Sequence, residues 1–281
     1  MLHFSEIEVT KWADFYHYIF DQNSRSWVYR GQSKDFKLST SIERALRGWD
    51  IDQKEAASIE WQTIREFRRR SREPQYQRVH EDTLFCLALM QHHGAPTRLL
   101  DCSYSPFVAA AFAMQHGFAC TCPVIWCFNA DWCEKEARKA TEPVTLFDLR
   151  KDDKNRTDDT FLPLYQLGPS APTNPRKFVN QENPFHLNER LTTQQGAFLC
   201  PADLNSSFED NLVSIHDCTS ENNLVKLRLK LQEDAATAFV QNLKSMNLSF
   251  AALFPGLDGF AKSIGQQIFH YHELAKQKAG E

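Results

Sequence analysis

Leu89-Met-Gln-His-His-Gly-Ala-Pro-Thr-Arg-Leu-Leu-Asp101 is the stretch on which the fold turns. Glu81 to His93, which runs into it, is apolar nearly all round (Leu84, Phe85, Leu87, Ala88, Leu89, Met90), as a helix buried on most sides must be. Gly94 and then Pro96 stop that helix, because glycine accepts the left-handed turn at a helix end and proline cannot continue the ladder. Thr97 to Cys102 reads as a short extended segment. Ser105-Pro106 then supplies an N-cap with proline at the first helical position, opening a helix over Phe107 to Met114. Ala109, Ala110, Ala111 and Ala113 on that helix leave room for a close neighbour. Helix, strand and helix in immediate succession predict an α+β protein built around a central buried helix.

Outward from this block, Ser26 to Arg30 is rich in aromatic and β-branched residues and closes on Gly31, a strand with Arg30 at its tip. From Asp52 to Arg70, Ala57, Trp61, Ile64 and Phe67 recur at helical spacing, and the helix ends in a basic run, Arg65, Arg68, Arg69, Arg70 and Arg72. Cations in a last turn complement the helix dipole and are ordinarily solvated, and no aromatics are interleaved with them to stack bases. Pro123 to Phe128 reads as an interior strand. Lys151 to Pro184, charged and then proline-rich, reads as a long loop. Arg190 to Cys200 and Leu224 to Leu231 read as strands, the second with one buried and one wet face. Ala235 to Met246 reads as a helix, and Ala251 to Ala261 as a turn into a terminal helix. The expected fold is a single-domain α+β structure with a mixed or antiparallel sheet and packed helices. Residues 1–24 form a helical lead-in, 25–270 the domain and 271–281 a polar tail.

Composition narrows the function classes. The 281 residues carry 32 Lys plus Arg against 36 Asp plus Glu, so a net charge of -4 gives no global attraction to nucleic acid or anionic membrane. The N-terminus lacks a basic region followed by an apolar one, and Phe107 to Met114 is too short to span a bilayer, which together imply a cytoplasmic protein with no membrane role. Of 8 cysteines, Cys86 and Cys102 sit in apolar periodic segments, so reduced, buried thiols are expected. Cys120, Cys122, Cys127 and Cys133 lack the CxxC spacing of a zinc knuckle, and no metal site is expected.

Tyr29-Arg30-Gly31, the Leu89–Asp101 block, Ser105-Pro-Phe-Val-Ala-Ala-Ala-Phe-Ala113, Thr193-Gln-Gln-Gly-Ala-Phe198 and Leu253-Phe-Pro-Gly-Leu-Asp-Gly259 resemble, in order, the pattern of the FRG-domain family, a largely bacterial group. A more distant likeness is to the ADP-ribosyltransferase superfamily. Trp27-Val-Tyr-Arg-Gly-Gln-Ser33 looks like its opening strand, where NAD is held. Asp101-Cys-Ser-Tyr-Ser-Pro-Phe-Val-Ala-Ala-Ala-Phe-Ala is similar to its serine strand and following helix. Thr192-Thr-Gln-Gln-Gly-Ala-Phe198 is similar to its late strand, near the catalytic glutamate. The resemblance implies a split sheet, NAD as cofactor, and an effector with a toxin or phage-defence role acting on a protein, nucleic-acid or small-molecule acceptor.

On that likeness Arg30, His92, Glu189 and Gln195 are the candidate catalytic residues. Tyr29, Arg30, Gly31, Gln32, His93, Arg98, Asp101, Ser103 and Gln194 are the candidate nucleotide-binding residues. Cleaving the nicotinamide bond builds positive charge on the ribose, so a carboxylate beneath it and an arginine on the diphosphate are what the chemistry needs. The superfamily's Glu-x-Glu pattern is absent here, and Glu189 is the nearest carboxylate. Two other readings stand beside this one. A non-catalytic module can bind a nucleotide or partner through the same pocket. A hydrolase can use His92 or His93 as general base oriented by Asp101, although adjacent histidines on one helix point ~100° apart and share a metal poorly. The bland alternative pairs Arg98 with Asp101 and makes His93 a helix cap.

Overall fold

The computed structural model describes residues 2–21, 26–115, 122–141, 158–168, 176–184, 189–215 and 222–257, together with 260, 261 and 264. The described strands are β1 (Ser5–Val9), β2 (Trp27–Gln32), β3 (Leu100–Ser103), β4 (Val124–Asn129), β5 (Val179–Glu182), β6 (Gly196–Pro201) and β7 (Leu224–Leu229). They form one mixed sheet in the order β1-β7-β4-β2-β3-β6-β5, parallel only between β1 and β7. This is the expected α+β class. Between β2 and β3, however, the ladder consists of one residue pair, Tyr29 opposite Ser103, whereas β2 and β4 pair over six residues from Trp27 to Gln32. The sheet is thus divided into β1-β7-β4-β2 and β3-β6-β5 except at that single rung.

The helices α1 (Trp12–Asp21), α2 (Ser41–Gly48), α3 (Ala56–Arg70), α4 (Thr83–His92), α5 (Pro106–Ala113), α6 (Ala130–Ala140), α7 (Asp158–Leu164), α8 (Glu189–Thr193), α9 (Phe208–Ser214), α10 (Glu233–Ser245) and α11 (Phe250–Leu253) clothe both faces. The period-2 alternation of β4 separates them. Val124, Trp126 and Phe128 join the core of α3, α4, α6, α7 and α9, while Ile125 and Cys127 join Phe15 of α1, Ala109 of α5 and Phe239 of α10. Ser105 caps α5 through its hydroxyl, accepting from the Val108 amide at 3.3 Å, with Pro106 at the first turn as the sequence predicts.

Four expectations need correction. The N-terminal segment is not only helical, because β1 precedes α1 and extends the sheet. The long loop expected over 151–184 contains α7 and β5, and their apolar residues Phe161, Leu164 and Val179, with Phe178 just before β5, are buried among charges and prolines that mask any period. The strand expected from Arg190 begins only at Gly196. Glu189–Thr193 is helical, and Gln195 turns the chain with φ of 45°. The second face of β7 is not wet, for Lys226 is 6% exposed, its ammonium 2.8 Å from Asp35 and 4.8 Å above the Trp126 ring. Arg228 completes that cover by gripping Glu6 with two bonds of 2.9 Å and Asp35 with one of 2.8 Å. Most of the expected terminal helix and all of the polar tail lie outside the described residues.

Candidate functional site

Beyond the Tyr29–Ser103 rung the strands β2 and β3 diverge, and Arg30 occupies the gap. Its Nη1 donates to the Asp101 carbonyl oxygen at 2.7 Å, and its buried Nε has no protein partner. Gly31 follows, and here the residue type is dictated by packing. A Cβ at this position would lie 1.8 Å from the Ala109 carbonyl oxygen and 2.7 Å from the Ala113 amide nitrogen, so α5 can lie against β2 only over a glycine. The alanines of α5 and the glycine of β2 are two halves of one contact.

A cleft of about 180 Å³ opens at this point, lined among others by Arg30, Asp101, Ser103, Phe112, Arg190 and Gln194. Tyr29 and Gly31 also border it. Its walls are fixed by hydrogen bonds. Ser103 donates to the Gln194 carbonyl at 2.7 Å, and the Gln194 amide, 8% exposed, donates to the Leu253 carbonyl at 2.9 Å. Gln91, from α4, donates to Asp101 Oδ1 at 2.6 Å and in turn accepts from the Thr97 hydroxyl, so the Asp101 carboxylate is oriented from behind. Arg190 lies 4.6 Å above the Phe254 ring, which is itself stacked on Phe250 at 4.2 Å and set edge-on to Phe112 at 5.8 Å.

The electrostatics are cationic. Desolvation pulls the Arg190 guanidinium below the usual arginine range, with Asp101 opposing. Desolvation does the same to Arg44, followed by the repulsion of Arg30, with Asp101 again opposing. His92 is held below the ordinary histidine range, first by desolvation, then by His93 and Arg190. Arg44 therefore senses Arg30, and Arg44 and Arg190 both sense Asp101, whose carboxylate already accepts from an amide. Such a concentration of desolvated positive charge is what an anionic ligand relieves.

The candidate residues divide plainly. Tyr29, Arg30, Gly31, Asp101, Ser103 and Gln194 come together on the cleft. Arg98 does not reach it. Neither the Arg98 nor the Glu60 side chain has any exposure, and Nε of Arg98 lies 2.6 Å from Glu60, its amide donates to the same carboxylate at 2.7 Å, and Nη1 donates to the Tyr165 carbonyl at 2.9 Å. Burial alone would lower the Arg98 pKa, but the Glu60 carboxylate reverses that and raises it. The pairing of Arg98 with Asp101 is likewise replaced, by Arg98 with Glu60 and Asp101 with Gln91. Gln32 is paired in the β2–β4 ladder outside the cleft lining. Gln195 is exposed and serves the turn, its carbonyl accepting from the Tyr104 amide at 2.8 Å. Glu189 is exposed at the start of α8, outside the lining. His92 is exposed beside Arg190, and His93 is the C-cap of α4 ahead of Gly94, whose φ is 84°. Sequence reasoning missed Arg190, Arg44, Gln91 and Phe254. Reading Arg190 to Cys200 as one strand hid that a helical turn, Glu189–Thr193, delivers the Arg190 guanidinium to the cleft.

Residues 25–120 match the family model of the FRG domain. The chain carries an FRG domain. The match holds β2, β3, α4 and α5, and so the Arg30, Gly31, Asp101 and Ser103 side of the cleft. Arg190 and Gln194, with Phe254 under the Arg190 guanidinium, complete the cleft from sequence beyond the match. No curated protein and no solved structure matches the chain. No helix among the described residues is long and apolar enough to cross a membrane, and none of their His, Cys, Asp and Glu residues group as a metal site. Cys86, Cys102, Cys127, Cys133 and Cys200 are buried and in no disulfide, and burial pushes Cys86 and Cys102 up to about 12.

Proposed function

We propose that the cleft binds the phosphate-bearing part of a nucleotide, NAD or a relative of it, and that the protein is an ADP-ribosyltransferase-like effector. The observation carrying this reading is the convergence of Arg30 and Arg190, from opposite sides of the divided sheet, on one cleft whose sole lining carboxylate among the described residues is Asp101. Two guanidiniums in a partly desolvated cleft suit a diphosphate, which takes forked hydrogen bonds from each. An oriented carboxylate nearby suits the second requirement, stabilising positive charge as the bond between ribose and nicotinamide breaks. Glu189 gives way in this role to Asp101, which lines the cleft and is held by Gln91. In the transfer, nicotinamide leaves with the bonding pair, the acceptor oxygen or nitrogen bonds to the ribose carbon, and the acceptor proton passes to solvent. A toxin or phage-defence role in a bacterial cytoplasm is the setting proposed for this activity.

The test is turnover and binding of labelled NAD by the full chain, with Arg30→Ala, Arg190→Ala and Asp101→Asn. Release of nicotinamide that falls in all three variants supports an enzyme. Binding that needs both arginines, with no turnover in any form, reduces the function to a nucleotide-binding module. Binding indifferent to both arginines removes the nucleotide reading.

A further inference from the structure

A second cavity, of about 630 Å³, lies where α3, the 3-10 turn Pro74–His80 and the end of α4 meet. It is several times larger than the cationic cleft and different in chemistry. Its walls include the rings of Phe67 and Tyr76 and the flat edge of Pro96, and its polar groups are of both kinds, the carboxylates of Glu66 and Glu73 and the donors Arg70 and His93. An alkyl chain needs no ionisable rim. A planar group with donors and acceptors around its edge matches both walls and rim, and a nucleobase is such a group.

The end of α4 links the surroundings of the two cavities. His93 lines the larger, its ring centroid is 5.0 Å from that of His92, and His92 lies within electrostatic reach of Arg190 in the smaller. Gln91, the residue before this pair, bonds to Asp101 in the cleft. The end of α4 is therefore a ridge with a cationic cleft on one flank and an aromatic cavity on the other. The smaller cavity, at about 180 Å³, falls below the ~300 Å³ at which ligand pockets usually begin. The geometry points to one extended ligand: the larger cavity takes the base of the nucleotide whose phosphates lie at Arg30 and Arg190. This inference rests on the nucleotide reading of the cleft and adds a base subsite that neither the motifs nor the cationic residues identify.

The experiment has two arms on the full chain. In the first, affinities for ADP-ribose and for inorganic pyrophosphate are measured in Thr63→Trp, which fills the cavity from the half-exposed side of α3, and in Tyr76→Ala, which removes an aromatic wall. The inference expects ADP-ribose to weaken about ten-fold in both, the loss of one base–aromatic stack, with pyrophosphate unchanged and the melting temperature retained. In the second arm, 8-azidoadenosine, which carries no phosphate, is photo-crosslinked and the labelled peptides are sequenced. Label on the peptides of Tyr76 or His93 supports the base subsite. ADP-ribose affinity unaltered in both variants, or label confined to other peptides, overturns it. Failure of the cleft reading has a separate signature, pyrophosphate binding indifferent to Arg30→Ala and Arg190→Ala.

Discussion

Arg30 and Asp101 are joined through the main chain of one and the guanidinium of the other, Nη1 to carbonyl oxygen at 2.7 Å, at the place where the strands carrying them cease to pair. Arginine here does what a missing rung would do, bridging β2 to β3, while the residue also lines the cleft. A lysine keeps the charge but presents a single ammonium that cannot serve both partners in fixed geometry. Arg30→Lys is expected to fold and to lose about ten-fold in affinity for pyrophosphate, equivalent to ~1.4 kcal/mol, as read by calorimetry.

Gly31→Ala tests the packing that sets the cleft's floor. The added methyl meets backbone of α5 at 1.8 Å, which no side-chain rotation relieves. Destabilisation by ~1–3 kcal/mol or more is expected in denaturant unfolding, as for other overpacked sites. A variant as stable as the parent contradicts the contact.

The buried Arg98–Glu60 pair is expected to matter for folding and not for ligand. Glu60→Gln leaves a guanidinium uncompensated in the core, at a cost of ~3–5 kcal/mol. Whatever fraction remains folded binds nucleotide with unaltered affinity, and a change in that affinity at matched folded fraction would place Arg98 in the site after all.

Phe254 holds Arg190 by its ring face. Phe254→Leu is expected to lower pyrophosphate affinity several-fold by freeing the guanidinium, since a cation over an aromatic face is worth ~0.5–1 kcal/mol at exposed sites and more when desolvated. Phe254→Tyr restores it, whereas a purely structural role for this ring predicts a loss of melting temperature in step with affinity.

Acid should expose the ion pairs over β7. The Arg228 hydrogen bond, its largest influence, holds the Glu6 carboxyl below the usual carboxylate range. A group with a depressed folded pKa stabilises fully above its unfolded value, ~4.3, and that contribution disappears as pH falls through the folded value. Thermal unfolding of the parent and of Glu6→Gln should differ most near neutral pH and converge below about pH 4. A gap that is constant with pH excludes the charge as its origin.

The residues of the Leu89–Asp101 block made the central helix, its stop and the strand after it legible, because glycine and proline act locally and a helix apolar on all sides has one environment. The sheet's far side was less so. Lys226 in β7 looked like a solvent-facing position because alternation reports polarity and not burial, and only Asp35, Glu6 and two aromatic rings from distant sequence make it an interior residue. For the cleft, Arg30, Asp101 and Ser103 were accessible from motifs, but Arg98 carries an identical charge in the same block and ends up in the core. Which of two arginines finds a buried glutamate is decided by α3, far upstream, and no local pattern records it.

The lone Tyr29–Ser103 rung has a mechanical meaning. A seam stitched by so little backbone bonding is the line along which the two parts of the molecule can tilt, and a guest lodged between Arg30 and Arg190 would act as a clasp across it. Occupancy would then register far from the guest, as slower deuterium uptake at amides on both banks of the seam, so that the protein's stiffness becomes a readout of what it has captured.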